Sequence, residues 1–201
     1  RDELRRALNG MRLSLPSQKS DVFLCKLSKM GGVVEEFLEA AETTSPSVQL
    51  RVSPSGETLL ISSHDQVLGG SSGQVYLGCT FPAELSCCPG LHAAARRVTD
   101  VLASEGVVGR FGIDFVSARV GNAWRHYAIE INIRKGGTTH PFLTLQLLTD
   151  GSYDSTTGLF RTKVGRPCFY VASDNLCDPS YTALSPQRVI SAAAGRGLAF
   201  D

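Results

Sequence analysis

The sequence predicts an α+β fold in which antiparallel strand pairs are covered by flanking helices. Three stretches predict it. "SPSVQLRVSPSGETLLISS" reads as two alternating strands, Val48 to Val52 and Thr58 to Ser62, closed by the "SPSG" turn. "VVGRFGIDFVSARVGNAWRHYAIEINI" reads as a second pair, Val108 to Ser117 and Trp124 to Ile133, closed by "RVGN". Between them, "LHAAARRVTDVLASEG" puts Leu91, Ala94, Ala95, Val98 and Leu102 on one helical stripe and stops at Gly106.

The remaining elements follow in chain order. Residues 1 to 15 carry Leu4, Leu8, Met11 and Leu15 near helical spacing with arginines between them, the pattern of an amphipathic helix. "SDVFLCKL" (20 to 27) alternates well enough for a strand, and "GGVVEEFLEA" fits a strand running into a connector. The Gly-, Ser- and Pro-rich stretch 69 to 90 reads as a long loop with a short strand at Gln74 to Cys79. Loops of this length without structure are uncommon in compact domains and call for a functional explanation. "PFLTLQLLTDG" (141 to 151) is a helix opened by proline and closed by glycine, and the remainder alternates short strands such as "CFYVASDN" with a final helix opened by "SPQRVISAAAG".

The chain is long enough, at 201 residues with 42% hydrophobic composition, to bury a substantial core. Lys plus Arg number 20 against 19 acidic residues, a balance that gives no reason to expect nucleic acid or an anionic membrane as partner. No apolar run approaches the roughly 20 residues of a membrane span, and the charged amino end does not read as a signal peptide. The six cysteines form no Cys-x-x-Cys pair and no zinc-type spacing with histidine, so buried or free thiols in a reducing, cytoplasmic setting are expected. "RDELRRAL" reads as mid-helix and "GRGLAFD" as a strand entering a turn, which predicts a piece of a longer chain.

Side chains two apart on a strand share a face. Arg110, Gly112 and Asp114 therefore go together in "GRFGIDF", as do Glu130 and Asn132 in "EIN". Pairing the two strands brings Asp114, Glu130 and Asn132 to one sheet face, with Ile113, Phe115, Ile129, Ile131 and Ile133 expected to fill the other. Three hard oxygen donors without sulfur or imidazole suit Mg²⁺, which keeps waters and completes its shell from phosphates. The glycines and hydroxyls of "KGGTTHP" then supply a helix start where anions are favoured. By spacing alone, the same acids also fit a solvated surface pair.

The order of these motifs resembles the second half of the ATP-grasp fold, as in D-alanine–D-alanine ligase and other carboxylate–amine ligases. "GIDF" is followed by a hairpin, "EIN", a glycine-rich turn and "TTH", while "GGVVEEFL" resembles that fold's adenine hinge. The longer string "HYAIEINIRKGGTTHPFLTLQLLTDGSYDSTTGLF" is similar to a subgroup that includes the pheganomycin-type peptide ligases and the ATP-grasp-like region of the IQ-motif-containing H protein of ciliated cells. The resemblance implies a single partial ATP-grasp domain, with residues 1–62 the remainder of the nucleotide-hinge lobe and 63–201 the metal- and substrate-binding lobe. The N-terminal part of the module, with its phosphate-binding lysine strand and glycine-rich flap, is not visible before Arg1.

It further implies ATP and Mg²⁺ as cofactors, with Asp114, Glu130 and Asn132 as metal ligands. Glu35 would accept from the adenine amino group, the backbone of Glu36 and Leu38 would complete the hinge, and Phe37 would pack on the ring. Glu35, Glu36 and Glu42 equally fit a solvated acidic face, and Phe37 a core position. Arg110 would act catalytically on the transferring phosphate or the acyl-phosphate oxyanion. Gly136, Gly137, Thr138, Thr139 and His140 would line the carboxylate-substrate pocket, although His140 before a proline also reads as a helix-cap partner. Two departures stand out: Gly112 replaces the family's arginine two residues before the metal aspartate, and Ser47 replaces its ribose-binding acid, leaving Glu42 for that role. The resemblance therefore implies either an ATP- and Mg²⁺-dependent ligase joining a carboxylate to an amine through an acyl phosphate, or a non-catalytic scaffold domain with protein partners in a ciliary or axonemal assembly.

Overall fold

A computed structural model describes residues 2–13, 17–38, 40–70, 73–173 and 175–197. The chain opens with helices α1 (Asp2–Asn9) and α2 (Ser20–Met30), then runs through β1 (Thr43–Thr44), β2 (Pro46–Val52), β3 (Thr58–Gly69) and β4 (Val75–Phe81). Helix α3 (Cys88–Ser104) leads to the hairpin β5 (Gly109–Val120) and β6 (Ala123–Asn132), which is followed by α4 (Thr139–Thr149). Short strands β7 (Ser152–Asp154), β8 (Leu159–Arg161) and β9 (Tyr170–Ala172), a 3₁₀ turn at Pro179–Ala183 and α5 (Pro186–Gly195) complete it.

Both expected hairpins form, and they join in one seven-stranded antiparallel sheet. The turn between β2 and β3 closes because Gly56 takes φ 84° and Ser53 N–H donates to Glu57 O at 2.9 Å. Strand β5 joins the two hairpins. Its one edge pairs with β1 and β2 in succession and its other edge with β6, so Asp114 has Ser47 on one side and Glu130 on the other. Strands β3, β4 and β9 extend the sheet beyond β2.

Alternation decides which side chains become core. Val48, Leu50 and Val52 from β2, Phe111, Ile113 and Phe115 from β5, and Leu60 from β3 pack against Leu91 and Ala95 of α3. Burying each large aliphatic or aromatic side chain of this kind contributes about 1.5–3 kcal/mol. A second cluster, Phe81, Phe142 and Phe160, is joined by Tyr170, whose ring stacks on Phe81 with centroids 4.8 Å apart. Helix α4 starts at Thr139, two residues before the proline expected to open it, and Pro141 falls in the first turn, where its missing N–H has no intrahelical partner to lose.

Three expectations are corrected. Residues 20–27 are not a strand but most of α2, with Asp21 in the first turn and Lys29 in the last, each matched to the helix dipole. Gly31, at φ 72°, ends that helix by donating its N–H to Leu27 O at 2.9 Å. The stretch 31–38 is irregular rather than a strand, and its Val33 and Val34 are exposed. The isoleucines of the second hairpin strand also depart from expectation: Ile129, Ile131 and Ile133 are 47%, 44% and 62% exposed instead of filling the core.

Candidate functional site

Three neighbouring strands set two rows of side chains across the sheet. One row is Ser47, Asp114 and Glu130, and the next is Gln49, Gly112 and Asn132. Asp114 is held from both sides. Ser47 Oγ donates to its Oδ1 at 2.6 Å and Asn132 Nδ2 donates to its Oδ2 at 3.0 Å, while Gln49 Nε2 donates to Ser47 Oγ at 3.0 Å. Gly112 makes room for this chain, since a Cβ at that position would meet Gln49 Nε2 at 2.9 Å.

Burial pushes the Asp114 carboxyl up from the usual aspartate range. Hydrogen bonds from Ser47 and Gln66 oppose the rise, the Glu130 carboxylate adds to it, and the Arg134 guanidinium draws it down. Two acids facing each other with only partial compensation form a place where a cation relieves repulsion. Among the described residues no three His, Cys, Asp or Glu side chains converge on a point, and the oxygen donors lining this cavity are the carboxylates of Asp114 and Glu130 and the amide of Asn132. That all-oxygen set fits Mg²⁺, a hard ion that takes few protein ligands and draws the rest of its shell from phosphate and water.

These residues open onto a cavity of about 290 Å³, which brings together Asp114, Glu130, Asn132, Gly136, Gly137 and Thr138. A second, larger hollow of about 490 Å³ is lined by Glu35, Glu36, Phe37 and Leu38 together with Val116 and Ile129. Gln74 lines both, so the two hollows adjoin. Residues 35–38 and the row of Asp114 and Glu130 thus line adjoining hollows.

Other candidates lie elsewhere. Arg110, expected beside Asp114, lines a narrow cleft with Gln49, Ser62, Thr138 and Thr139 and does not line the larger cavity. Glu42 lines neither hollow; its carboxylate accepts from Arg119 NH1 at 3.2 Å, and its carbonyl accepts from Arg119 N at 2.9 Å. His140 is exposed and lines none of these spaces.

Arg134 and Ile129 are among the lining residues that the sequence pattern does not single out. Arg134 lines the cavity of Asp114 and supplies a positive charge beside it; the spacing Glu130, Asn132, Arg134 is the signal that would have found it. Ile129 lines the hollow of Glu35, Glu36, Phe37 and Leu38 because the β5–β6 register slips by one residue between Asp114 and Phe115, where Asp114 pairs with Glu130 but Phe115 with Ala128. That bulge turns Ile129 to the same side as Glu130, and no sequence signal announces it.

The chain is similar to several known proteins. A family model described as "IQCH-like, ATP-grasp" matches residues 18–156. The L-propargylglycine–L-glutamate ligase of Streptantibioticus cattleyicolor is 35% identical over 188 residues, which are 94% of this chain and 37% of the ligase. The IQ motif-containing protein H of Danio rerio is 36% identical over 95 residues, 47% of this chain and 9% of that protein. A solved biotin carboxylase from Campylobacter jejuni overlaps 62% of this chain and 26% of its own, at 17% identity and a TM-score of 0.47. The chain spans only a part of each relative's length. Among the described residues, no helix is long and apolar enough to cross a membrane.

Proposed function

The chain belongs to the IQCH-like ATP-grasp family, and on that premise we propose that it serves an ATP- and Mg²⁺-dependent carboxylate–amine ligase. What supports this reading is two adjoining hollows, one lined by residues 35–38 with Val116 and Ile129, the other by Asp114, Glu130 and Asn132. Asp114, Glu130 and Asn132 would hold the ion, which when bound offsets charge on the β- and γ-phosphates.

The chain's own residues divide the remaining work. Ile129, Val116 and Phe37 offer apolar surface to a purine ring, and Glu35 and Glu36 stand at its polar edge. Gly136 and Gly137 let main chain approach the reacting groups at the start of α4. Arg134 sets a positive charge where negative charge builds on the transferring phosphoryl group. In the reaction, a carboxylate oxygen of the donor attacks the γ-phosphorus, the bond to the bridging oxygen breaks, and ADP leaves. The amine lone pair of the acceptor then attacks the acyl carbon, the carbon–oxygen bond to phosphate breaks, and inorganic phosphate and a proton depart.

The likeness to the ligase of Streptantibioticus cattleyicolor supports an amino acid or short peptide as the class of substrate. The test is ADP release by the full-length protein with Mg²⁺, ATP and candidate carboxylates. Release that requires an added amine, and yields the amide, supports ligation; nucleotide binding without amine-dependent release contradicts it. The likeness to the IQ motif-containing protein H favours one second reading, a nucleotide-binding scaffold domain with protein partners, in the ciliary setting that the resemblance implies. That reading expects binding and no turnover with any amine.

A further inference from the structure

Strand β6 forms one end of the sheet. Its inner edge pairs with β5, and among the described residues no other strand and no backbone hydrogen bond reaches the outer edge of residues 123–128. An unpaired edge is a template for one more strand. The bulge at Ile129 ends the regular stretch, and before it His126 and Ala128 point to the α3 side of the sheet while Arg125 and Tyr127 point to the other. Between this edge and α3 runs an open groove of about 260 Å³. Its walls are apolar, made by Ala94, Val98, Val101, Phe115 and Ala128, with Arg97 and His126 as the polar side chains, and Val101 is 60% exposed. His126 Nδ1 lies 2.7 Å from Ser117 Oγ, and burial lowers its pKa, so it is neutral at pH 7. Among the described residues, no acid lines the groove, and neither Arg97 nor Arg125 makes an ion pair or a side-chain hydrogen bond.

These features select one kind of occupant. A free strand edge recognises main chain, and an apolar groove beside it receives every second side chain of the strand that is added. A helix would fill the groove and leave the edge unpaired. Two unpaired arginines, Arg97 in the groove and Arg125 on the opposite face, call for negative charge. We propose that residues 123–128 and the groove beside α3 bind an extended, acidic segment of a partner protein, which adds to the sheet next to β6, sets alternate apolar side chains against Val98, Val101 and Phe115, and places a carboxylate at Arg97. The groove shares no lining residue with the cavity of Asp114, so this surface serves the protein whether or not it is a ligase.

The test is fluorescence polarisation of labelled synthetic peptides with the full-length protein, read together with amide hydrogen exchange over residues 123–128. The peptides are about eight residues long, the span of a strand, alternate valine with threonine, and carry glutamate, glutamine or lysine in turn at each valine position. The best glutamate peptide should bind about threefold more tightly than its glutamine counterpart, the size expected of one exposed ion pair, and more tightly still than the lysine one. Arg97→Glu should reverse that order and leave the melting temperature unchanged, because the side chain is exposed and unpaired. N-methylation of alternate peptide amides should abolish binding in one phase and preserve it in the other, since one edge of an added strand meets β6. Binding should also slow exchange at residues 123–128. Equal affinity for glutamate and lysine peptides, a preference that survives Arg97→Glu, the same response to both methylation phases, or no peptide binding overturns the proposal. So does exchange at the outer edge that is already slow without peptide: if it depends on protein concentration, the occupant is a second copy, and if it does not, the occupant is another part of the protein's own chain.

Discussion

Ser47 donates to Asp114 Oδ1 at 2.6 Å from the strand on the opposite side to Glu130, so the acid is fixed by one neighbour before any ligand arrives. A hydrogen bond to a charged, part-buried carboxylate is worth about 1.5–3 kcal/mol. Ser47→Ala should lower the free energy of unfolding at neutral pH by about that much in urea titrations, and Ser47→Thr should restore most of it. A loss below about 0.5 kcal/mol would mean that the Asp114 carboxylate is not anchored this way.

Ile129 offers a contrast, because it is 47% exposed in the free chain and lines the hinge hollow. Ile129→Ala should leave stability within about 0.5 kcal/mol, as exposed positions do. It should weaken ATP binding by about fivefold through the lost apolar contact, without altering the Mg²⁺ requirement. Titration calorimetry with and without Mg²⁺ checks both halves.

His64 carries the clearest pH signature. It is fully buried, its Nε2 lies 2.8 Å from the Tyr170 hydroxyl, and burial depresses its pKa from 6.5 to about 3. Between those values the unfolded chain takes up a proton that the native chain refuses, so stability falls as pH falls through this window. The His64 contribution is about 1.4 kcal/mol per pH unit below about 6.5. His64→Gln, which keeps a polar partner for Tyr170 and does not titrate, should show a shallower decline of stability between about pH 6 and pH 4. Parallel curves for the two proteins would contradict a neutral buried imidazole.

Gly78 lies against the end of β9. A Cβ there would stand 2.1 Å from the Ala172 carbonyl oxygen, and the backbone sits at φ 150°. Gly78→Ala should cost about 1–3 kcal/mol or more and release β9, seen as faster amide exchange over Tyr170–Ala172. Unchanged exchange there would refute the close approach.

The sequence made the two hairpins and the α3 stripe legible because each had a single period: two along β2, β3, β5 and β6, and near 3.6 along 91–106. The same period-two logic put Asp114, Glu130 and Asn132 on one face before any coordinates. It failed where periods overlap. "VFLC" in α2 is a run of four apolar residues that suits a strand or a helix, and the helix is favoured by Asp21 in its first turn, Lys29 in its last and the glycine stop at Gly31. It failed again at Ile129, because a bulge adds a residue to one strand and reverses the face that alternation assigns. Arg110 shows a third limit. Sharing a face with Asp114 placed it on the right side of the sheet, yet Gln49 and Thr138 stand between the two spaces they line, and no spacing rule reports a wall.

The most direct measurement is the ATP-induced rise in melting temperature of the full-length protein, with Mg²⁺ and with EDTA, for the parent chain and for Asp114→Asn and Glu130→Gln. A ligand that binds only the native state raises stability by mass action. The parent should show a rise that depends on both ATP and Mg²⁺, and each variant should lose most of it while melting near the parent temperature without nucleotide. An equal ATP response in EDTA, or an undiminished Mg²⁺-dependent response in both variants, would contradict a magnesium–triphosphate site at Asp114, Glu130 and Asn132.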